Sequence, residues 1–146
     1  MNEKQFRIVS KETTIERTQI KDSDSCNKYI RQIIKSEQID INVKEYFYII
    51  ALNQSNKTNG FMKVSEGSIS STIVDIRLMA FFLIKSLATS FILFHNHPSG
   101  NVEKSDADKT LTKKITEAMK LFDIKITDHL IITSNNFCSF ADDGDL

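Results

Sequence analysis

A nearly continuous apolar run at residues 90–94 leads directly into His95-Asn96-His97-Pro98-Ser99-Gly100, and a helical apolar pattern begins a few residues later at Ser105. This succession narrows the possible folds sharply. A short, wholly apolar segment suits a central strand covered on both faces. Pro98-Ser99-Gly100 is a turn signal, and Ser105 followed by Asp108 suits the first turn of a helix. The expected unit is therefore strand, tight loop and helix, with the polar residues gathered at the carboxyl end of the strand. That is an α/β arrangement.

His95, His97 and Asp108 are potential metal ligands. Two imidazoles at i and i+2 on an extended segment converge on one ion after a small backbone bend, and a carboxylate eleven residues beyond His97 returns to them from the new helix. Three protein ligands leave one coordination position for water, which distinguishes an open, catalytic zinc site from a closed structural one. Each fragment also has a purely structural reading, Pro98-Ser99-Gly100 as a plain turn and Ser105 with Asp108 as a plain cap. The cap need not compete with ligation, because a fixed helix start sets the direction in which Asp108 projects.

The spacing His-x-His, seven residues, then Ser-x-x-Asp resembles the metal signature of the JAB/MPN metalloprotease superfamily, the JAMM motif. Within that superfamily the surrounding residues resemble the RadC family of bacterial proteins. The matching positions are His95 to Gly100, Ser105-Asp106-Ala107-Asp108-Lys109-Thr110, Asp128-His129-Leu130-Ile131-Ile132 and Ser139-Phe140, with Glu45-Tyr46-Phe47, Gly67 and Arg77 upstream. Together they cover roughly residues 45 to 143, and the combined pattern is far more specific than a lone short motif.

The resemblance implies a mixed β-sheet flanked by helices, of the cytidine-deaminase-like JAB/MPN architecture. It implies Zn2+ on His95, His97 and Asp108. Glu45, at the start of the first core strand, is the implied general base and acid, with Glu66 and Glu103 as substitutes. Ser105 is the implied support for an oxyanion. Asp128 and His129 are read as backing the ligands or facing substrate, since His129 as a fourth ligand would close the site; a hydrogen-bonded, partly buried histidine is the plain alternative. Two departures stand out. Only 44 residues precede Glu45, where RadC proteins commonly carry a longer region with a helix-hairpin-helix-like module. Lys104 stands where proline is common, which suggests a less rigid motif loop.

The rest of the chain bounds these readings. It has 146 residues, 40% hydrophobic and 26% charged, enough for one core-bearing domain. Lysine plus arginine equals aspartate plus glutamate at 19 each, so net charge offers no attraction to a phosphate backbone. Lys109, Lys113, Lys114 and Lys120 read as the solvated face of the motif helix. Cys26 and Cys138 lack any Cys-x-x-Cys spacing, so neither a disulfide framework nor a thiolate zinc knuckle is indicated, and reduced thiols fit a cytoplasmic protein. Residues 1–10 lack an apolar signal core, and the longest apolar run, at 78–84, is too short to span a bilayer, so no export or membrane anchoring is expected.

Periodicity suggests a strand at 5–9, a helix at 23–35 with Tyr29, Ile30, Ile33 and Ile34 on one side, and a polar connection at 36–42. Residues 45–52 and 57–65 read as a hairpin around the turn 53–56. Ile76, Met79, Ala80, Leu83, Ile84 and Leu87 mark a helix over 72–88. The motif helix is expected over 105–122, burying Leu111, Ile115, Ala118, Met119 and Phe122, followed by strands at 124–133 and 137–140. The organisation expected is a short extension, residues 1–44, packed on a main domain, residues 45–146.

The functional expectation is a zinc-dependent hydrolase of peptidase type, acting on a peptide or isopeptide-like amide of a peptide or protein substrate. The alternative, from the RadC family name, is a DNA-repair or mobile-element accessory protein that works by nucleic-acid or protein binding without hydrolysis. A degenerate interaction module is a third possibility, although such proteins usually lose metal ligands and all three are present here.

Overall fold

The computed structural model of the protein describes residues 1–5, 9–67 and 74–146. Strands β1 (Glu45–Leu52), β2 (Thr58–Gly67), β3 (Ser90–Asn96), β4 (Lys125–Ile132) and β5 (Phe137–Ser139) form one mixed sheet in the order β2-β1-β3-β4-β5. β3 and β4 are parallel, and the other neighbours are antiparallel. Helix α1 (Ser23–Ser36) lies on one face, and α2 (Ile76–Lys85) and α3 (Asp106–Lys120) on the other. The expected α/β class with a mixed sheet between helices is what the chain adopts.

Side-chain alternation along the strands divides the core into two layers. Tyr48, Ile50, Leu52, Ile92, Phe94, Leu130 and Ile132 pack under α1 with Tyr29, Ile30 and Ile33. Phe47, Ile49, Phe91 and Leu93 pack under α2 and α3 with Met79, Leu83, Ile115 and Met119. Because both faces of β1 and β3 are covered, these strands read as continuous apolar runs. Each fully buried large side chain contributes about 1.5–3 kcal/mol before the entropy of ordering is counted. α1 starts at a reciprocal cap in which Asp22 accepts from Ser25 N at 2.7 Å and the Ser25 hydroxyl oxygen accepts from Asp22 N at 3.1 Å.

Several expected boundaries shift. The strand expected at 5–9 crosses residues 6–8, outside the described residues. The helix expected over 72–88 is shorter at the described end: Asp75 caps Arg77 N at 3.0 Å, and the helix stops at Lys85; residues 72 and 73 lie outside the described residues. Leu87 takes a left-handed conformation, φ 54°, in the turn to β3 and is 82% exposed, while Ile84 is 50% exposed on the outer side of the helix. Both belong to the apolar set that marks this helix in the sequence, yet only Met79, Ala80 and Leu83 are buried there. Phe122, expected inside, is 49% exposed, because α3 ends at Lys120 and the chain turns outward before the left-handed residue Asp123.

Strand β3 runs two residues past the apolar stretch. His95 pairs with Phe47 on one side and Ile131 on the other, so the first histidine is a strand residue and only His97 lies beyond the sheet. Among the described residues no helix is long and apolar enough to cross a membrane.

Candidate metal centre

The end of β3, the motif loop and the first turn of α3 bring His95, His97 and Asp108 together, with one potential ligand atom from each lying within 4.8 Å of the others. His95 Nε2 is 2.9 Å from His97 Nε2 and 3.2 Å from Asp108 Oδ1. His97 Nε2 lies 3.6 Å from Asp108 Oδ2. His95 and Asp108 are buried, and His97 is the member nearest to solvent. The expected trio is therefore a spatial cluster.

Local structure explains the convergence. His97 N donates to Ile132 O at 3.1 Å, and the chain then reverses through the turn 97–100, closed by Gly100 N to His97 O at 3.0 Å. Pro98 suits the second position of such a turn, and Gly100 supplies the φ of 82° that lets the chain leave it. His97 Nδ1 faces the Asn101 carbonyl at 2.8 Å; a carbonyl only accepts, so Nδ1 carries a hydrogen and Nε2 is turned to the cluster.

Asp108 divides its two oxygens. Oδ2 accepts from Ser105 N at 2.8 Å and from the Ser105 hydroxyl at 2.7 Å, while Ser105 Oγ accepts from Asp108 N at 3.1 Å. This reciprocal cap leaves Oδ1 aimed at His95. Ser105 thus acts as the cap, its hydroxyl hydrogen directed to Asp108; service to an oxyanion requires that hydroxyl to rotate.

Burial works to raise the Asp108 pKa, but the two imidazoles and the Ser105 hydroxyl outweigh it and hold the carboxyl well below the usual carboxylate range. Burial lowers the His95 pKa against the opposing pull of Asp108. His97 moves upward, chiefly through Asp108, with burial opposing and the Asn101 carbonyl assisting. The donor set, two imidazoles and an ionised carboxylate, fits a divalent ion of zinc's borderline character.

Glu45 opens β1. Continuing the antiparallel register two steps beyond Phe47 and His95 sets Glu45 across from His97; its charge adds to the upward shift of His97 and works against the downward shift that burial gives His95. Of the substitutes, Glu66 is engaged by Lys44 at 3.0 Å and Lys63 at 2.6 Å on the exposed edge strand. Glu103 is exposed in the motif loop, where its N–H donates to Asn101 Oδ1 at 2.8 Å.

The dipeptide Asp128-His129 splits across the sheet. His129 is fully buried directly behind His95, Nε2 to Nδ1 at 2.8 Å, and stacks on Phe140 at 4.6 Å. Asp128 does not face the cluster: it points to the α1 layer, where it accepts from the Ser139 hydroxyl at 2.7 Å and from the N–H groups of His129 and Ala141 at 2.7 and 3.0 Å. The expectation of a ligand-backing or substrate-facing role is corrected for this residue by strand alternation.

Three further residues shape the site. Asn96, between the two histidines, accepts from Tyr46 N at 2.7 Å and donates to the carbonyls of Ile41 and Lys44 at 2.8 Å each. Thr112, one turn after Asp108, touches His129 at 2.7 Å; its i+4 spacing from a ligand was the available signal. Lys104 pairs with Asp143 and with Asp145, the latter at 2.7 Å, and lies over the Phe140 ring at 4.9 Å. The loop expected to be loose for lack of proline is instead tied to the C-terminal turn.

A family model described as the RadC-like JAB domain matches residues 20–145, a region that takes in α1. A UPF0758 protein of Flavobacterium johnsoniae is 48% identical over 100 residues, 68% of this chain and 44% of that protein. UPF0758 protein YfjY of Escherichia coli is 41% identical over 101 residues, 69% of this chain and 63% of that protein. A UPF0758 protein of Fusobacterium nucleatum is 36% identical over 141 residues, 97% of this chain and 57% of that protein. The chain spans about half the length of these relatives.

Proposed function

The chain belongs to the RadC-like JAB domain family, and on that premise we propose that it is a zinc-dependent hydrolase of peptidase type, cleaving a peptide or isopeptide-like amide. The observation that carries the reading is the meeting of His95 Nε2, His97 Nε2 and Asp108 Oδ1 at one point, with the far nitrogen of His97 occupied by a carbonyl. These three residues would hold the ion through the two Nε2 atoms and one carboxylate oxygen. A bound zinc supplies Lewis acidity, bringing the pKa of a coordinated water toward ~7 and polarising a carbonyl.

The remaining chemistry belongs to the chain. Glu45, across the strand register from His97, takes a proton from the attacking water and passes it to the departing amine. Ser105, once its hydroxyl turns from Asp108, donates to the carbonyl oxygen as negative charge develops. Phe47 stacks parallel to His95 at 5.9 Å and helps exclude water from the inner side of the cluster. The nucleic-acid reading draws no support from α3, where Lys109, Lys113 and Lys120 share one groove with Glu117 and Asp145.

Elemental analysis of washed protein tests the centre, with about one zinc per chain expected and loss of it in Asp108→Ala. Peptide-library cleavage tests the reaction: Glu45→Gln should keep zinc and lose turnover. Absence of zinc after reconstitution sinks the metallohydrolase reading, and unchanged turnover in Glu45→Gln removes Glu45 from the mechanism.

A further inference from the structure

One hydroxyl fixes the direction of every hydrogen bond behind the cluster. Thr112 Oγ1 donates to the Asp108 carbonyl at 2.6 Å, the back-bond of a threonine to the preceding helical turn. The same oxygen lies 2.7 Å from His129 Nδ1. A hydroxyl has a single hydrogen and a carbonyl can only accept, so Thr112 accepts from His129, and His129 carries its ring hydrogen on Nδ1. A neutral imidazole in that form has a lone pair on Nε2. His129 Nε2 stands 2.8 Å from His95 Nδ1, so His95 Nδ1 must be the donor. His95 Nε2 is then left bare, facing His97 Nε2 and Asp108 Oδ1 at 2.9 and 3.2 Å.

We propose that Thr112 and His129 are positioning residues that select the tautomer of His95, so that its Nε2 reaches the metal centre without a hydrogen. The inference rests on the metal-centre reading given above. A metal-binding histidine commonly gives its outer N–H to a carboxylate or a backbone carbonyl. Here a second buried histidine takes that hydrogen, and because it is neutral it adds no charge to the ligand set. Its ring is in turn held by the Phe140 stack at 4.6 Å and an edge contact with Phe47 at 5.6 Å, so it cannot swing away. Loss of the Thr112 hydroxyl removes the acceptor from His129 Nδ1. A buried N–H without a partner is costlier than a bare nitrogen, which favours the opposite tautomer in His129 and, by relay, in His95.

The test uses the full chain, labelled with 15N at histidine and stripped of metal, above the ordinary histidine titration range. Long-range 1H–15N correlation spectra report which ring nitrogen carries hydrogen. The wild-type protein should show Nδ1–H at both His95 and His129. Thr112→Val should convert part or all of His95 to Nε2–H and weaken zinc binding, measured by competition with a chelating dye, by about 10–100-fold. Thr112→Ser should restore both. Nε2–H at His95 in the wild type overturns the proposal, as does a Thr112→Val protein with unchanged tautomer and unchanged zinc affinity. If Thr112→Val fails to fold, the wild-type spectrum still decides. Because that spectrum needs no metal, a wild-type protein that shows the expected tautomers but binds no zinc defeats the metal-centre reading alone.

Discussion

Asn96 Oδ1 accepts the backbone N–H of Tyr46 at 2.7 Å, which fastens the end of β3 to the residue that follows Glu45. The same amide donates to the carbonyls of Ile41 and Lys44, both at 2.8 Å, so one buried side chain holds the entry to β1 at three points. The residue between the two histidines thereby links the candidate metal ligands to the proposed base.

Asn96→Ala should leave the ligands in place and loosen Glu45. The expected cost is about 1–3 kcal/mol from the polar groups left unpaired, read by urea unfolding. Zinc content should stay near that of the parent, while kcat for a cleaved peptide falls. Equal losses of zinc and turnover would show that Asn96 supports the ligands instead.

Ser105 has two separable roles. Ser105→Ala removes the cap of α3 and should cost about 0.5–2 kcal/mol of stability. If the hydroxyl also serves the oxyanion, turnover should drop by about 10²–10³-fold, far more than the stability change explains, and Ser105→Thr should recover both. A stability loss with turnover intact would confine Ser105 to capping.

Phe140 supports His129 from below and is itself covered by Lys104. Phe140→Ala should cost about 3–5 kcal/mol, as expected for a buried aromatic side chain, and should weaken zinc binding because His129 gains room. Phe140→Leu should be milder on both counts. Thermal unfolding with and without zinc separates the two effects, and zinc affinity unaffected by either variant would show that the stack has no bearing on the centre.

Protonation sets the acid limit of the metal-free protein. Burial holds His129 well below the ordinary histidine value of 6.5, and His95 is lowered by the same cause. Below that value the unfolded chain takes up protons that the folded chain refuses. Their contribution to stability is therefore fully present above pH 6.5 and lost as pH falls, by up to about 1.4 kcal/mol per pH unit for each group. His97 has the opposite sign: Asp108 raises its pKa, so its contribution is complete below 6.5 and disappears as pH rises through its own higher value. Urea titrations across this range should show a net fall toward acid that becomes shallower in His129→Phe. An identical slope in that variant would contradict the assignment.

The His95, His97 and Asp108 cluster was legible because its residue types and spacing lie along one strand, loop and helix, all local in sequence. Helix α1 and strand β1 were legible for a related reason: their apolar positions face a core and repeat with the period of the element. Of the supports, His129 was marked in the sequence as a residue behind the ligands, but the contacts that hold it and Asn96 in place were not. Asn96 reaches back across the sheet to Ile41, and His129 meets Thr112 only once β4 lies beside β3 and α3 packs above them. Ile84, Leu87 and Phe122 misled because hydrophobicity marks a residue as able to be buried, whereas exposure here follows from where a helix ends and which way the next turn departs. Lys104 misled because its loss of proline rigidity is answered by two carboxylates from the distant C-terminal turn.

The division of Asp128 and His129 between the two faces of β4 bears on which length changes this chain tolerates. The carboxylate secures the turn at 139–141 on one side, and the imidazole backs His95 on the other. Adding or deleting one residue in β4 would exchange them, setting a carboxylate against His95 and an imidazole among the N–H groups it cannot satisfy. Substitutions along this strand fail singly, but an indel fails both layers at once. β4 therefore has to keep its length.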